Sequence, residues 1–180
     1  MNTKEGEKSM AKETEEKKKK STILEYLPYI LTIILVLLIK RYVVSPIKVN
    51  GDSMNQTLKN GDIMILNIID YRFHEIKRFD IVVVDIKKEY IIKRVIGLPG
   101  EKVEYKENQL YINDQLVEDP YGSHPTSDFS VTVPKNHYFV LGDNRTNSLD
   151  SRYFGAFPKN KILGKTSLIL FPLDRMGIKK

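Results

Sequence analysis

The 180-residue sequence has no cysteine and no tryptophan. Disulfides, zinc–thiolate sites and a cysteine nucleophile are thereby excluded. Histidine is scarce: His74, His124 and His137 stand far apart, with no HExxH or His-x-His spacing. A histidine-built metal site has no candidate, and no metal or other cofactor is expected. Charge of one sign is limited too. The formal net charge is +6, and residues 1–44 hold 9 basic and 6 acidic side chains of the total 29 and 23, which leaves 20 and 17 for residues 45–180. No arginine- or lysine-rich stripe with interleaved aromatics occurs there, so nucleic acid is not an expected partner.

What is present divides the chain into three parts. Residues 1–22 are polar, with seven Lys and five Glu, and cannot bury a core. They read as a disordered tail. Leu27 to Ile39 is then free of charge, and Tyr26 to Val44 makes a 19-residue span interrupted only by Lys40 and Arg41. At about 1.5 Å per residue this approaches the hydrocarbon thickness of a bilayer. Long basic side chains near one end can snorkel, and Tyr26, Tyr29 and Tyr42 suit the interfaces. A buried core helix and a cleaved secretory signal are the other readings. Pro46, directly after Val43-Val44-Ser45, argues against cleavage. Residues 23–44 are therefore expected to be a single transmembrane anchor in the cell membrane, with residues 1–22 cytoplasmic. Residues 45–180 would lie outside the cytoplasm.

From residue 45 the apolar runs are short and β-branched. Ile47–Asn50, Ile63–Ile68, Phe79–Val84, Tyr90–Ile96, Tyr138–Leu141 and Ser167–Phe171 predict strands. Gln109–Val117 predicts a hairpin turning at Asn113-Asp114. Residues 119–136, with Pro120, Gly122, Pro125 and Pro134, predict a surface excursion. No run has convincing helical periodicity. The fold class is mainly β: a strand-rich domain behind an N-terminal transmembrane helix.

Three segments do not read as packing. Gly51 to Leu58 places Ser53 in a turn after Gly and Asp. A serine hydroxyl becomes a nucleophile only beside a base, and turns hold serine for ordinary reasons. Tyr90 to Gly100 carries Lys93 and Arg94 among Ile and Val, so period 2 puts one cation on each face of a strand. Each must be paired, exposed at an edge or uncharged. A lysine whose pKa is lowered by burial is a competent general base, although a snorkelling lysine on an open face fits the same pattern. Gly142 to Gly155 crowds Asp143, Asn144, Asn147 and Asp150 with Arg145 and Arg152. It is either a solvated loop or a rigid one that holds catalytic groups by bonding to itself.

Together these segments resemble the type I signal peptidases, membrane-anchored serine proteases that remove signal peptides from exported proteins. The resemblance runs from about residue 26 to 171. It rests on the anchor, Gly51-x-Ser53-Met54-x-x-Thr57-Leu58, Asn60-Gly61-Asp62-Ile63, Lys93-Arg94-Val95-Ile96-Gly97-Leu98-Pro99-Gly100, and Gly142 to Gly155. It implies a Ser/Lys dyad, with Ser53 as nucleophile and neutral Lys93 as general base. It also implies that Ser148 orients Lys93, that Asp143 pairs with Arg94, and that Asp150 with Arg152 braces the loop. The oxyanion would be held by the Ser53 backbone N–H, because Gly51 stands where some relatives carry a hydroxyl, as in many Gram-positive members. Gln56 replaces a frequent proline, which should loosen the turn without abolishing chemistry.

The implied substrates are exported preproteins with small residues at positions −3 and −1, and the implied surroundings are the lipid bilayer and the secretion machinery. Shallow apolar pockets select small side chains by overlap. Ile47, Val49, Met54, Leu58, Ile91 and Ile92 flank the two catalytic segments and are the candidates, with ordinary core as their other reading. An extended substrate would add to exposed strand edges there. Self-cleaving repressor-type peptidases share the chemistry but lack an anchor. Ser45-Pro46-Ile47-Lys48 mimics the Ser-x-x-Lys of penicillin-binding acyltransferases without a helix to open. An anchored binding protein without activity is the reading from another class.

Overall fold

A computed structural model describes residues 25–40, 42–87, 89–122 and 125–179, with only the backbone of 70–72. The expected tail, residues 1–22, lies outside these. The chain divides into two units, residues 1–41 and 42–180.

In the first unit, residues 25–40 form helix α1. Its apolar side chains from Leu27 to Ile39 are exposed on every face. No helix among the described residues is long and apolar enough to cross a membrane. Of the span expected over 23–44, residues 23, 24 and 41 lie outside the described residues, and Val44 belongs to a strand, paired with Asn67. Val43-Val44, β-branched, suits a sheet edge as well as a bilayer.

The second unit is built from twelve strands: β1 (Val44–Lys48), β2 (Ile63–Asn67), β3 (Ile81–Asp85), β4 (Tyr90–Gly97), β5 (Lys102–Lys106), β6 (Gln109–Ile112), β7 (Gln115–Val117), β8 (Phe129–Thr132), β9 (His137–Leu141), β10 (Phe157–Pro158), β11 (Ile162–Phe171) and β12 (Gly177–Ile178). Two short helices interrupt them, α2 (Ile68–Phe73) and α3 (Ser151–Phe154). The larger sheet runs β1-β2-β11-β3-β4-β9-β10, with β12 on β11, and the smaller runs β7-β6-β5-β8. All the strand pairs are antiparallel. The strand-rich expectation holds.

Three departures have physical causes. The run expected from Phe79 enters its sheet only at Ile81, because Phe79 takes a left-handed backbone with φ 70°. The excursion 119–136 contains β8, whose Phe129 and Val131 alternate with Ser130 and Thr132 to pair with β5. Flanking prolines hid that alternation. Strand β11 begins five residues before Ser167, where Gly164 and Lys165 lack strand character of their own but pair with β2 and β3. The predicted hairpin is present, with Asn113 and Asp114 both at positive φ, the backbone that a two-residue hairpin turn needs.

Three apolar clusters fill the unit. Val82, Val84, Val95, Val140, Tyr138 and Ile162 pack on one side of the large sheet. Ile96, Phe139 and Leu141 join it to Val103, Tyr105 and Leu110 of the small sheet. Val49, Met54, Leu58, Met64, Ile81 and Ile169 fill the space beneath the loop that carries Ser53. Strand β4 borders all three, through Ile91 and Val95, Ile96, and Ile92 respectively.

Candidate active site

The loop between β1 and β2 carries Ser53, and its base is closed by the backbone. Val49 N–H donates to Asp62 O at 2.8 Å and Gly61 N–H to Val49 O at 2.9 Å. Gly51 sits at φ +89°, a left-handed conformation that favours glycine, and its N–H donates to Asn60 Oδ1 at 3.2 Å. A single helical turn follows, with Leu58 N–H on Met54 O at 2.7 Å. Met54 and Leu58 drop into the core from this turn and fix Ser53 above it.

Lys93 lies in the middle of β4, opposite Val82, and is 3% exposed. Its Nζ stands 2.7 Å from Ser53 Oγ and donates to Ile92 O at 3.0 Å. Among the described residues no carboxylate forms an ion pair with it. Burial pushes its pKa down to about 8, against smaller opposing pulls from Asp150 and Asp143. Arg94, next in sequence, is equally buried but fully paired. Nε and Nη2 grip Asp143 at 2.8 and 2.7 Å, Nη1 donates to Phe79 O at 2.8 Å, and Nη2 also reaches Thr57 Oγ1 at 3.1 Å. The left-handed Phe79 backbone is what delivers that carbonyl, at a cost of about 1–3 kcal/mol for a bulky residue. The Tyr121 ring covers the guanidinium at 3.4 Å.

The β9–α3 loop closes over both. Asn144 N–H donates to Ser53 O at 2.9 Å, and Asp143 N–H to Met54 Sδ at 3.4 Å. Gly142 lies where the two segments cross: a Cβ there would overlap the Ser53 carbonyl and the Ser148 side chain. Asp150 caps α3 and takes both arms of Arg152, at 2.9 and 2.8 Å, and the Gly142 N–H at 3.0 Å. Burial alone would raise the Asp150 pKa, but these donors hold it below the ordinary value. Ser148 Oγ lies close enough to help hold that carboxylate ionised. The geometry nevertheless falls short of a hydrogen bond, and this oxygen is the buried side-chain polar atom left without a partner among the described residues. Arg145 is buried as well. It donates to Gly142 O at 2.9 Å, to Asp119 at 2.7 Å and to the Tyr105 hydroxyl.

A buried amine in contact with a serine hydroxyl, with no carboxylate paired to it among the described residues, is an arrangement that can serve as nucleophile and base. The profile of the family described as signal peptidase, peptidase S26, matches residues 23–171. Signal peptidase I S of Bacillus subtilis (strain 168) is 41% identical over 173 residues, covering 88% of this chain and 94% of that protein. The chain belongs to the type I signal peptidase family. Signal peptidase IB of Staphylococcus aureus (strain COL) is 35% identical over 177 residues, with 86% and 93% covered. A crystal structure of a signal peptidase I from Enterococcus faecalis V583 is 37% identical, with a TM-score of 0.48 over 51% of this chain and 97% of that one.

For a signal peptidase, the six candidate pocket residues divide unevenly. Val49, Met54 and Leu58 are core, at 2%, 1% and 0% exposure, and Ile47 and Ile92 flank them half-buried. Ile91 packs with the other cluster, against Val82 and Val84. A cavity of about 560 Å³ lies elsewhere, lined by Ile65, Phe79, Tyr121, Lys165 and Ile178 among others; neither Ser53 nor Lys93 lines it. Among the described residues no group of acidic or histidine side chains could hold a metal.

Sequence reasoning passed over Thr57, whose hydroxyl donates to Asp143 Oδ2 at 2.6 Å, and the roles of Arg145, Tyr121 and Arg175. Thr57 and Arg145 lie inside segments already singled out. Tyr121 and Arg175 carry no local signal at all.

Proposed function

We propose that this enzyme cleaves signal peptides from exported preproteins after small-x-small sites, with Ser53 as nucleophile and Lys93 as general base. The observation that carries the reading is the 2.7 Å contact between a desolvated Lys93 Nζ and Ser53 Oγ. As an ammonium, Lys93 donates to Oγ and is inert. As an amine it accepts the Ser53 proton while Oγ bonds to the scissile carbonyl carbon. The Ser53 backbone N–H stabilises the resulting oxyanion. The Lys93 ammonium then returns the proton to the departing amine, leaving the acyl-enzyme. A water, deprotonated by the neutral amine, releases the signal peptide acid and restores Ser53.

A neutral amine has two N–H donors and one lone pair. Ile92 O takes one donor and Ser53 meets the lone pair. Ser148 Oγ, buried and unpartnered, is the acceptor proposed for the other, which would aim the lone pair at Ser53. Arg94–Asp143 and Asp150–Arg152 hold the loop that presents Ser148. Ile47 and Ile92, over a floor of Val49, Met54 and Leu58, shape pockets that admit only small side chains, and Ile91 borders the substrate strand.

Residues 23–44 are proposed to anchor the chain in a lipid bilayer, supported by a helix apolar on every face. Residues 1–22 would then be cytoplasmic and residues 45–180 extracytoplasmic, next to emerging signal peptides and the secretion machinery. The test is cleavage of a preprotein with an Ala-x-Ala site in detergent, from pH 6 to 10. The parent should cut after the second Ala, with turnover rising through about pH 8 as Lys93 loses its proton. S53A should not cut and K93A should cut roughly 10²–10⁴-fold more slowly; cleavage by S53A, or parent-level cleavage by K93A, would overturn the dyad.

A further inference from the structure

The family match ends at residue 171, yet the chain beyond it returns to the nucleophile loop. After Pro172, a 3-10 turn over Leu173–Arg175 leads into β12, which is held to β11 through Ile178 and Gly177 and by Lys179 N–H on Ser167 O at 2.7 Å. Arg175 leaves this strap and reaches Asp62. Nε donates to Oδ1 at 3.0 Å and Nη2 to Oδ2 at 2.9 Å, a two-pronged grip, and Nη2 also approaches Thr57 O at 3.3 Å.

Both contacts fall on the loop that carries Ser53. Asp62 is 1% exposed. Its carboxylate also accepts from Lys59 N–H at 2.8 Å, and its carbonyl from Val49 N–H at 2.8 Å, so it is the point where the loop closes. Thr57 ends the turn that begins at Met54, and its hydroxyl lies between Arg94 and Asp143. One guanidinium thus ties the loop's base to its turn. Burial would raise the Asp62 pKa, but Arg175 and the Lys59 N–H outweigh it and hold the carboxyl below its ordinary value. Arg175 itself remains about one-fifth exposed, and it belongs to none of the three core clusters.

We propose that Arg175 is a positioning residue for the nucleophile: through Asp62 and Thr57, the C-terminal strap sets the height of the Ser53 turn against Lys93. The inference rests on the Ser53–Lys93 reading above. A misplacement of about 1 Å caused by a change far from the chemistry can cost about 10²-fold in rate. The fork geometry explains an arginine, since an ammonium cannot hold both carboxylate oxygens and a carbonyl in one plane.

The test compares R175M, R175K and D62N/R175M in the full chain, in detergent, with S53A alongside. The readouts are kcat, KM and urea midpoint on one preprotein. R175M is expected to lower kcat roughly 10–100-fold with KM within about twofold. R175K should recover part of that loss, and D62N/R175M should fall no further than R175M, since both changes cut one linkage. The double variant also keeps the test readable if R175M fails to fold, because it removes the buried unpaired carboxylate. The proposal is overturned if folded R175M keeps its kcat, if KM takes the whole effect, or if R175M and the double variant both fail to fold, which would make Arg175 a residue of stability alone. Cleavage by S53A would instead sink the dyad reading, whatever Arg175 does.

Discussion

The two faces of β4 meet the same problem in opposite ways. Lys93 and Arg94 are neighbours, and both are almost wholly buried. On one face Arg94 keeps its charge because Asp143, Thr57 and the Phe79 carbonyl satisfy it. On the other, Lys93 finds a hydroxyl and a carbonyl but, among the described residues, no carboxylate paired to it, and its pKa falls to about 8. Desolvation penalises a cation wherever it is buried. A counter-charge leaves the residue a structural tie, whereas a lowered pKa leaves an amine that can serve as the proposed base.

The sharpest way to break this contrast is to remove each cation in turn. K93A should lower signal-peptide cleavage by roughly 10²–10⁴-fold, the usual worth of a general base, measured as single-turnover rates at pH 9. R94M should act on the fold instead. It strands the fully buried Asp143, which should cost about 3–5 kcal/mol in urea unfolding, whereas R94M/D143L should recover most of that. Equal stability in R94M and the parent would show that the pair is not the brace it looks like.

A smaller effect of the reverse sign tests Lys93 again. Its folded pKa lies below the unfolded one, so between about pH 8 and 10.5 the unfolded chain holds more protons and stability rises with pH. Below pH 8 the folded state bears the full penalty, of order 3 kcal/mol at 1.36 per unit. K93M should therefore be more stable than the parent at pH 7, by at most about that amount, with the gap closing towards pH 10.5. The smallest shift concerns Asp150, whose charge pulls the Lys93 pKa upward. D150N should move the acid limb of the pH–rate profile to lower pH; a move to higher pH would mean that loop disorder outweighs charge.

Much of this was legible beforehand, for a particular reason. Period 2 alone set Lys93 and Arg94 on opposite faces of an apolar strand and required an answer for each. Which answer each received was not legible, because the partners come from elsewhere: Ser53 is 40 residues before Lys93 and Asp143 is 49 after Arg94. Only the likeness of the three segments to a family supplied those pairings. Tyr121 and Arg175 stayed hidden for the same reason without that help. Tyr121 sits in a proline-marked excursion that reads as surface, and Arg175 reaches back 113 residues to Asp62. Gly142 was legible as the start of a polar segment, but the crossing that forbids it a side chain exists only once two loops have met.

The burial of Lys93 has a consequence for the life of the chain before it folds. An unfolded chain exposes this side chain to water, where its pKa returns to the ordinary value near 10.5 and only about one amine in a thousand is neutral near pH 7.4. Ser53, the proposed nucleophile, then has no neutral amine beside it, because Lys93 lies 40 residues away along a loose polymer. The Ser53–Lys93 contact comes into existence with the same transition that closes the core, and it disappears when that core opens. On the proposed dyad, a nascent or damaged copy of this hydrolase therefore carries no assembled nucleophile and base.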